Sequence, residues 1–253
     1  MTIPLLDRAR SARRGRPTPD AMTLAEHLAE LRRRLITAVL AFVVAATLAA
    51  VFYNKMLSFL QRPYCKASPH NCNFFVTGPL DPLTLRVEMA AFGGLILASP
   101  FILWQVWRFI TPGLNANERR YAIPFVMAAV VLFCAGCATA YVIFPHALKF
   151  LKAVGGPHLY QLLSPNSYLS LIMWMMVLFG LAFLFPVVLV ALELVRVVTP
   201  AQLLHVWRWA VIGITAVAAI FTPSSDPFSM LALAVPLVVF YFVSIGIGKL
   251  LGR

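Results

Sequence analysis

Residues Tyr121–Pro145 read YAIPFVMAAVVLFCAGCATAYVIFP, a run without a single charge. A helix rises 1.5 Å per residue, so about 20 such residues cross the hydrocarbon core of a bilayer. This stretch is long enough to span. Outward from it the same pattern recurs in Ala153–Leu192, Leu35–Asn54 and Met89–Trp107. Beyond Arg208 lie two more charge-free runs, Trp209–Ser225 and Pro227–Gly248. Between their apolar parts stands Thr222-Pro223-Ser224-Ser225-Asp226-Pro227, whose prolines and serines mark a turn. Six helices follow: an all-α polytopic membrane protein with spans near 35–54, 88–108, 121–144, 168–193, 208–222 and 227–248, the last two short and paired as a tight hairpin. Membrane strands are a poor alternative, since they run about ten residues and alternate in polarity.

Composition agrees. The 253 residues are 61% apolar and 12% charged, whereas soluble domains lie near half and a quarter. One soluble core could not bury that apolar share, and a disordered chain lacks it.

Six spans put both termini on one side. Fifteen of the 21 Lys and Arg residues fall on that side and six on the other, so the positive-inside rule places both termini in the cytoplasm. The net charge of +12 is mostly this topological bias and is no nucleic-acid signal. Residues 1–22, with Arg8, Arg10, Arg13, Arg14 and Arg16, are expected to form a disordered basic arm on anionic headgroups, at about 1 kcal/mol per basic residue. The first apolar run is too long for the core of a cleavable signal. Residues 23–253 form the membrane domain.

Thr23 and Glu26 have the spacing of a capping box. A helix is therefore expected to start in the cytoplasm and enter the first span, with Leu24, Leu28, Leu31 and Leu35 along one face. Glu30 and Arg34 stand four apart. On spacing alone they read as a surface ion pair worth a few tenths of a kcal/mol, about 0.2–0.5.

No phosphate-binding loop, zinc-protease motif or nucleophile elbow is present. His27, His70, His146, His158 and His205 are scattered. The sequence therefore points to no enzyme, no cofactor and no metal site.

His27-Leu28-Ala29-Glu30-Leu31-Arg32-Arg33-Arg34-Leu35 resembles the opening signature of TatC, the multi-spanning subunit of the twin-arginine (Tat) protein translocase. Ser99–Leu114, followed by Glu118-Arg119-Arg120, is similar to the second span and first cytoplasmic loop of that family. Phe221–Ser229 is similar to its last outer turn. The resemblance runs from about Met22 to Gly248, with these motifs in family order. It implies a receptor and core subunit in the cytoplasmic (inner) membrane that binds twin-arginine signal peptides of folded precursors and organises their export, driven by the proton-motive force. The implied partners are single-span subunits of the TatA and TatB type, further copies of the chain, and membrane lipids. Glu30 and Glu118 match the positions that recognise the arginine pair, with Arg32 and Phe109 in support. Arginine presents a planar fork that a carboxylate accepts with two parallel hydrogen bonds. Pro223, Asp226 and Pro227 form the last turn, where Asp226 also fits a plain helix N-cap with proline at the first helical position. The rival reading is a small-solute secondary transporter, which predicts internal repeats and midplane charges; neither stands out.

Cys65 and Cys72 share the polar stretch Lys55–Arg86, read as an outer loop on the oxidising side, where disulfides persist. A Cys65–Cys72 bridge is favoured over two free thiols. Cys134 and Cys137 sit mid-span and read as small residues packed on a neighbouring helix. Pro100, Pro186 and Pro236 are expected to interrupt or kink their helices. Glu88, near the outer end of the second span, reads equally as an interfacial group beside Arg86 or as a functional intramembrane acid. Three positions depart from the family pattern: Leu184 and Phe242 stand where many members carry acids, and Glu88 where many carry a base. Partner contacts inside the membrane are therefore expected to differ from those of better-known relatives.

Overall fold

The computed structural model describes residues 24–67, 78–110, 122–155, 164–194, 197–222 and 227–250, all of whose regular structure is helical. In chain order the helices are α1 (Leu24–Val51), α2 (Tyr53–Ala67), α3 (Asp81–Ile110), α4 (Ala122–Gly155), α5 (Pro165–Phe183), α6 (Phe185–Leu194), α7 (Pro200–His205), α8 (Trp207–Phe221) and α9 (Pro227–Leu250). Five apolar stretches are long enough to cross a bilayer: Leu28–Val51, Asp81–Phe109, Ile123–Leu151, Pro165–Leu194 and Pro227–Leu250. A sixth apolar helix, α8, has only 15 residues. The expectation of two short final spans is thus corrected. Only α8 is short, because α9 starts at Pro227 and continues through Pro236 for 24 residues.

The expected outer loop is corrected as well. Much of Lys55–Arg86 is the helix α2, and α3 begins already at Asp81. Met56, Leu57, Leu60 and Tyr64 recur at spacings of one, three and four and turn inward onto the core, while Lys55, Ser58 and Arg62 are exposed. Asp81 helps to start α3: its Oδ2 accepts from the Gly78 backbone N–H at 2.7 Å.

Of the three prolines expected to interrupt helices, Pro186 does so, with the break at Leu184 between α5 and α6. Pro100 and Pro236 lie inside helices that continue past them. A proline leaves the carbonyl four residues earlier without its donor, and in lipid no water replaces it. For Pro100 that carbonyl belongs to Ile96, and the Ser99 hydroxyl donates to it at 2.8 Å. For Pro63 it belongs to Phe59, and Tyr141 of α4 donates to it at 3.0 Å, its ring stacked on Phe59 with centroids 4.5 Å apart.

The core centres on α5. Tyr168, Leu169, Ile172, Met175 and Phe179 are fully buried. The Tyr168 hydroxyl donates to the Leu60 carbonyl at 2.8 Å, and its ring meets Tyr64 and Phe144 edge-on. Helix α4 packs along α5, α1 lies chiefly on α3, and α9 spans α6 and α8.

Small residues set the distances. At Gly136 a side chain would meet the Phe179 carbonyl oxygen at 2.5 Å. At Gly94 it would meet the Ala46 Cα at 2.6 Å. Cys137 meets its expectation: buried beside Gly180, its thiol donates to the Met176 carbonyl at 3.3 Å. Cys134 is exposed and does not share that role.

Gly136→Leu should therefore push α4 from α5 and destabilise the protein by about 1–3 kcal/mol, read as a lower melting temperature in detergent. Gly213→Ala, where nothing lies within 4 Å of the added carbon, should leave it unchanged or slightly raised.

Candidate functional site

The site expected from sequence starts at the exposed end of α1. Leu28, Leu31 and Leu35 face outward there, together with Arg32 and Arg33. Glu30 is different. Its Oε1 accepts from Arg34 Nε at 2.9 Å and also from Arg34 Nη2, closing the four-residue ion pair that spacing alone suggests. Its Oε2 is buried with no hydrogen-bond partner. Half of this carboxylate is occupied, and the other half has no donor. A guanidinium fork takes both oxygens, so an arginine arriving from outside would compete with Arg34.

Phe109 lies in the last turn of α3, half-buried. Two residues before it, Trp107 is buried against Phe125 of α4, their rings 4.0 Å apart, within a small cluster that includes Val126 and Leu194. That cluster ties the end of α3 to α4 and α6. Beside it opens a wholly apolar cavity of about 470 Å³ between the same helices, lined by Ile102, Trp107, Phe125, Leu184 and Val188 among others. Leu184 thus contributes to an apolar wall. Phe242, the second departure, is exposed on α9 and packs against Trp207.

Glu118, Cys72, Pro223 and Asp226 lie outside the described residues, as do the proposed cap at Thr23 and the basic arm. Pro227 is the first residue of α9, and the other edge of the turn is closed by Thr222, whose buried hydroxyl donates to the Ala218 carbonyl at 3.0 Å. The start of α9 rests on α4, with Phe228 stacked against His146 at 6.3 Å. Cys65 is disulfide-bonded, and Cys134 and Cys137 are free. Among the described residues no group of three His, Cys, Asp or Glu could hold a metal.

Comparison with known proteins decides what kind of protein carries these features. The family of the Sec-independent protein translocase protein (TatC) matches residues 26–236. This chain belongs to the TatC family. The TatC of Frankia casuarinae is 39% identical over 254 residues, covering 95% of this chain and 70% of that one. The TatC of Aquifex aeolicus is 36% identical, covering 92% and 97%. The crystal structure of a twin arginine translocase receptor TatC superposes with a TM-score of 0.76 at 35% identity, covering 88% of this chain and 99% of that one. The chain is accordingly a membrane protein and a component of a protein translocase, a non-enzymatic transport system of the Tat pathway. The small-solute transporter reading gives way to that assignment.

Glu193 is a further acid of this TatC-family chain: it is 1% exposed, and neither carboxyl oxygen has a hydrogen-bond partner. It is wedged between α6, α7 and α9: a side chain at Gly248 would overlap its carboxylate and Pro200. Nearby Tyr241 spends its hydroxyl elsewhere, donating to the Leu203 carbonyl at 2.7 Å at the end of α7. The only sequence signal was position, directly after the charge-free run Ala153–Leu192.

An unsatisfied buried polar group costs on the order of 1–3 kcal/mol. Glu193→Leu, of similar volume, should therefore raise the melting temperature. A fall would show that the carboxylate has a stabilising partner.

Proposed function

We propose that this chain is the receptor and core subunit of its Tat translocase, and that Glu30 and Glu118 receive the paired arginines of a precursor's signal peptide, with Arg32 and Phe109 beside them. The observation that carries the reading is the Glu30 carboxylate, one oxygen held by Arg34 and the other buried without a donor, inside the stretch that the family match covers. The similar crystal structure is titled a twin arginine translocase receptor, which supports the same role here. Phe109 would pack on the ligand from the end of α3, a helix held in place by the Trp107 cluster.

The membrane arrangement proposed with it has six spans, α8 being the short fifth, and both termini in the cytoplasm. The bias of basic residues supports that orientation. Single-span subunits of the TatA and TatB type and further copies of the chain are the proposed partners. The apolar surfaces of α1, with Val39, Val43 and Val44 exposed, and of α8, with Trp209, Ile212 and Ile220 exposed, support contacts of that kind. Residues 1–22 would lie as a basic arm on anionic headgroups. Energy would come from the proton-motive force.

Losing a charge-assisted pair costs on the order of 1.5–3 kcal/mol, roughly ten- to a hundredfold in affinity. Glu30→Ala and Glu118→Ala should each lose photo-crosslinking to a twin-arginine peptide by that factor while still inserting into membranes. A peptide with two lysines should crosslink poorly to the unaltered protein, because ammonium cannot reproduce the fork. Undiminished crosslinking in both variants would remove the assignment.

A Cys65–Cys72 bridge belongs to the same proposal, and the bonded state of Cys65 supports it. Thiol labelling of membrane-embedded protein should modify Cys65 and Cys72 only after reduction. Full labelling of both without reductant would exclude the bridge.

A further inference from the structure

Glu88 has no part in the arginine-pair site. It lies on α3 seven residues beyond Asp81, about 10 Å along the helix. With 30 residues, α3 is about 45 Å long, against a hydrocarbon core of about 30 Å. A centred helix would overhang by about 7 Å at each end, leaving Glu88 a few ångströms inside the hydrocarbon boundary. An acid at that depth is costly unless it meets a partner.

Among the described residues no partner meets it. Glu88 Oε2 is buried without a hydrogen bond. Arg86, two residues away, points elsewhere: its guanidinium lies over the Tyr53 ring at 5.2 Å and lines a different hollow with Ala50 and Asn54. The carboxylate instead borders a cavity of about 390 Å³ between α1, α3 and α5. Phe42, Leu95 and Val177 give the cavity apolar walls, Ser170 adds a hydroxyl, and Trp174, exposed on its outer side, flanks it.

A helix is about 10 Å across and rises about 5.4 Å per turn, so this space would hold less than one turn of one. Its size falls instead in the range of small-molecule sites, apolar with a few placed polar groups. The ligand must carry a cationic donor at the headgroup boundary and a slender apolar part beneath it. We propose that the cavity at Glu88 binds an aminophospholipid. Its primary ammonium donates to Glu88, and one acyl chain lies against Phe42, Leu95 and Val177. A primary ammonium has three N–H donors. A choline headgroup of equal charge has none, so the site distinguishes the two lipids by hydrogen bonding alone.

The full chain, purified in detergent, is offered dioleoyl phosphatidylethanolamine and dioleoyl phosphatidylcholine in equal amounts, and bound lipid is counted by native mass spectrometry. The unaltered protein should retain the ethanolamine lipid about tenfold over the choline lipid. Glu88→Gln, which keeps the shape of the side chain, should lose the preference. Val177→Trp, which fills the cavity and keeps the acid, should lose bound lipid of both kinds. Equal retention by the unaltered protein, or an undiminished preference in Glu88→Gln, would overturn the proposal. So would release of a co-purifying single-span protein by Glu88→Gln with the lipid pattern intact, which would make the occupant a helix with a basic residue.

Discussion

Every proline inside a helix leaves a backbone carbonyl without its donor, and in a spanning helix hydrocarbon supplies no water to replace it. This chain has prolines in α2, α3, α4 and α9, and side chains satisfy two of the carbonyls so freed, those of Ile96 and Phe59. Ser99 repairs the defect at Pro100 from within its own helix. Tyr141 repairs the one at Pro63 from a different helix. The second solution has tertiary consequences, since it locks α2 onto α4 and lays Phe59 flat on a tyrosine ring. Tyr168 and Tyr241 also reach across to another helix, donating to the Leu60 and Leu203 carbonyls, although neither carbonyl is freed by a proline. Three tyrosines thus join helices distant in sequence through backbone acceptors.

Close approach does the rest. Without a hydrophobic drive between apolar helices in lipid, packing has to come from shape, and Gly94 against Ala46 and Gly136 against Phe179 bring backbones into contact. Because α1 is held almost solely by α3, most of its apolar surface remains open. The end that carries Glu30 is therefore presented on an exposed helix, while the end of α3 that carries Phe109 is anchored by the buried Trp107 cluster.

Three acids show how environment divides one residue type among different tasks. Glu30 is half-paired at the end of a helix, Glu88 borders a cavity near the hydrocarbon boundary, and Glu193 is enclosed without a donor. Only the first is explained by a neighbour four residues away. The other two are unsatisfied by anything in their own helix, and burial alone separates a potential ligand site from a source of instability.

Charge-free runs were enough to read long apolar helices from sequence, because they reflect a one-dimensional rule: length against bilayer thickness. The His27–Leu35 and Ser99–Arg120 motifs were enough to reach the family, and the Glu30–Arg34 pair followed from helical spacing. The helicity of α2 was hidden by polar residues that read as a loop, since its apolar stripe of Met56, Leu60 and Tyr64 gains meaning only against a core contributed by α4 and α5. The fate of each proline, the burial of Glu193 and the cavity at Glu88 were likewise invisible. Each depends on which side chain from another helix arrives, or fails to arrive, within hydrogen-bonding distance, and no periodicity along a single strand of sequence encodes that distance.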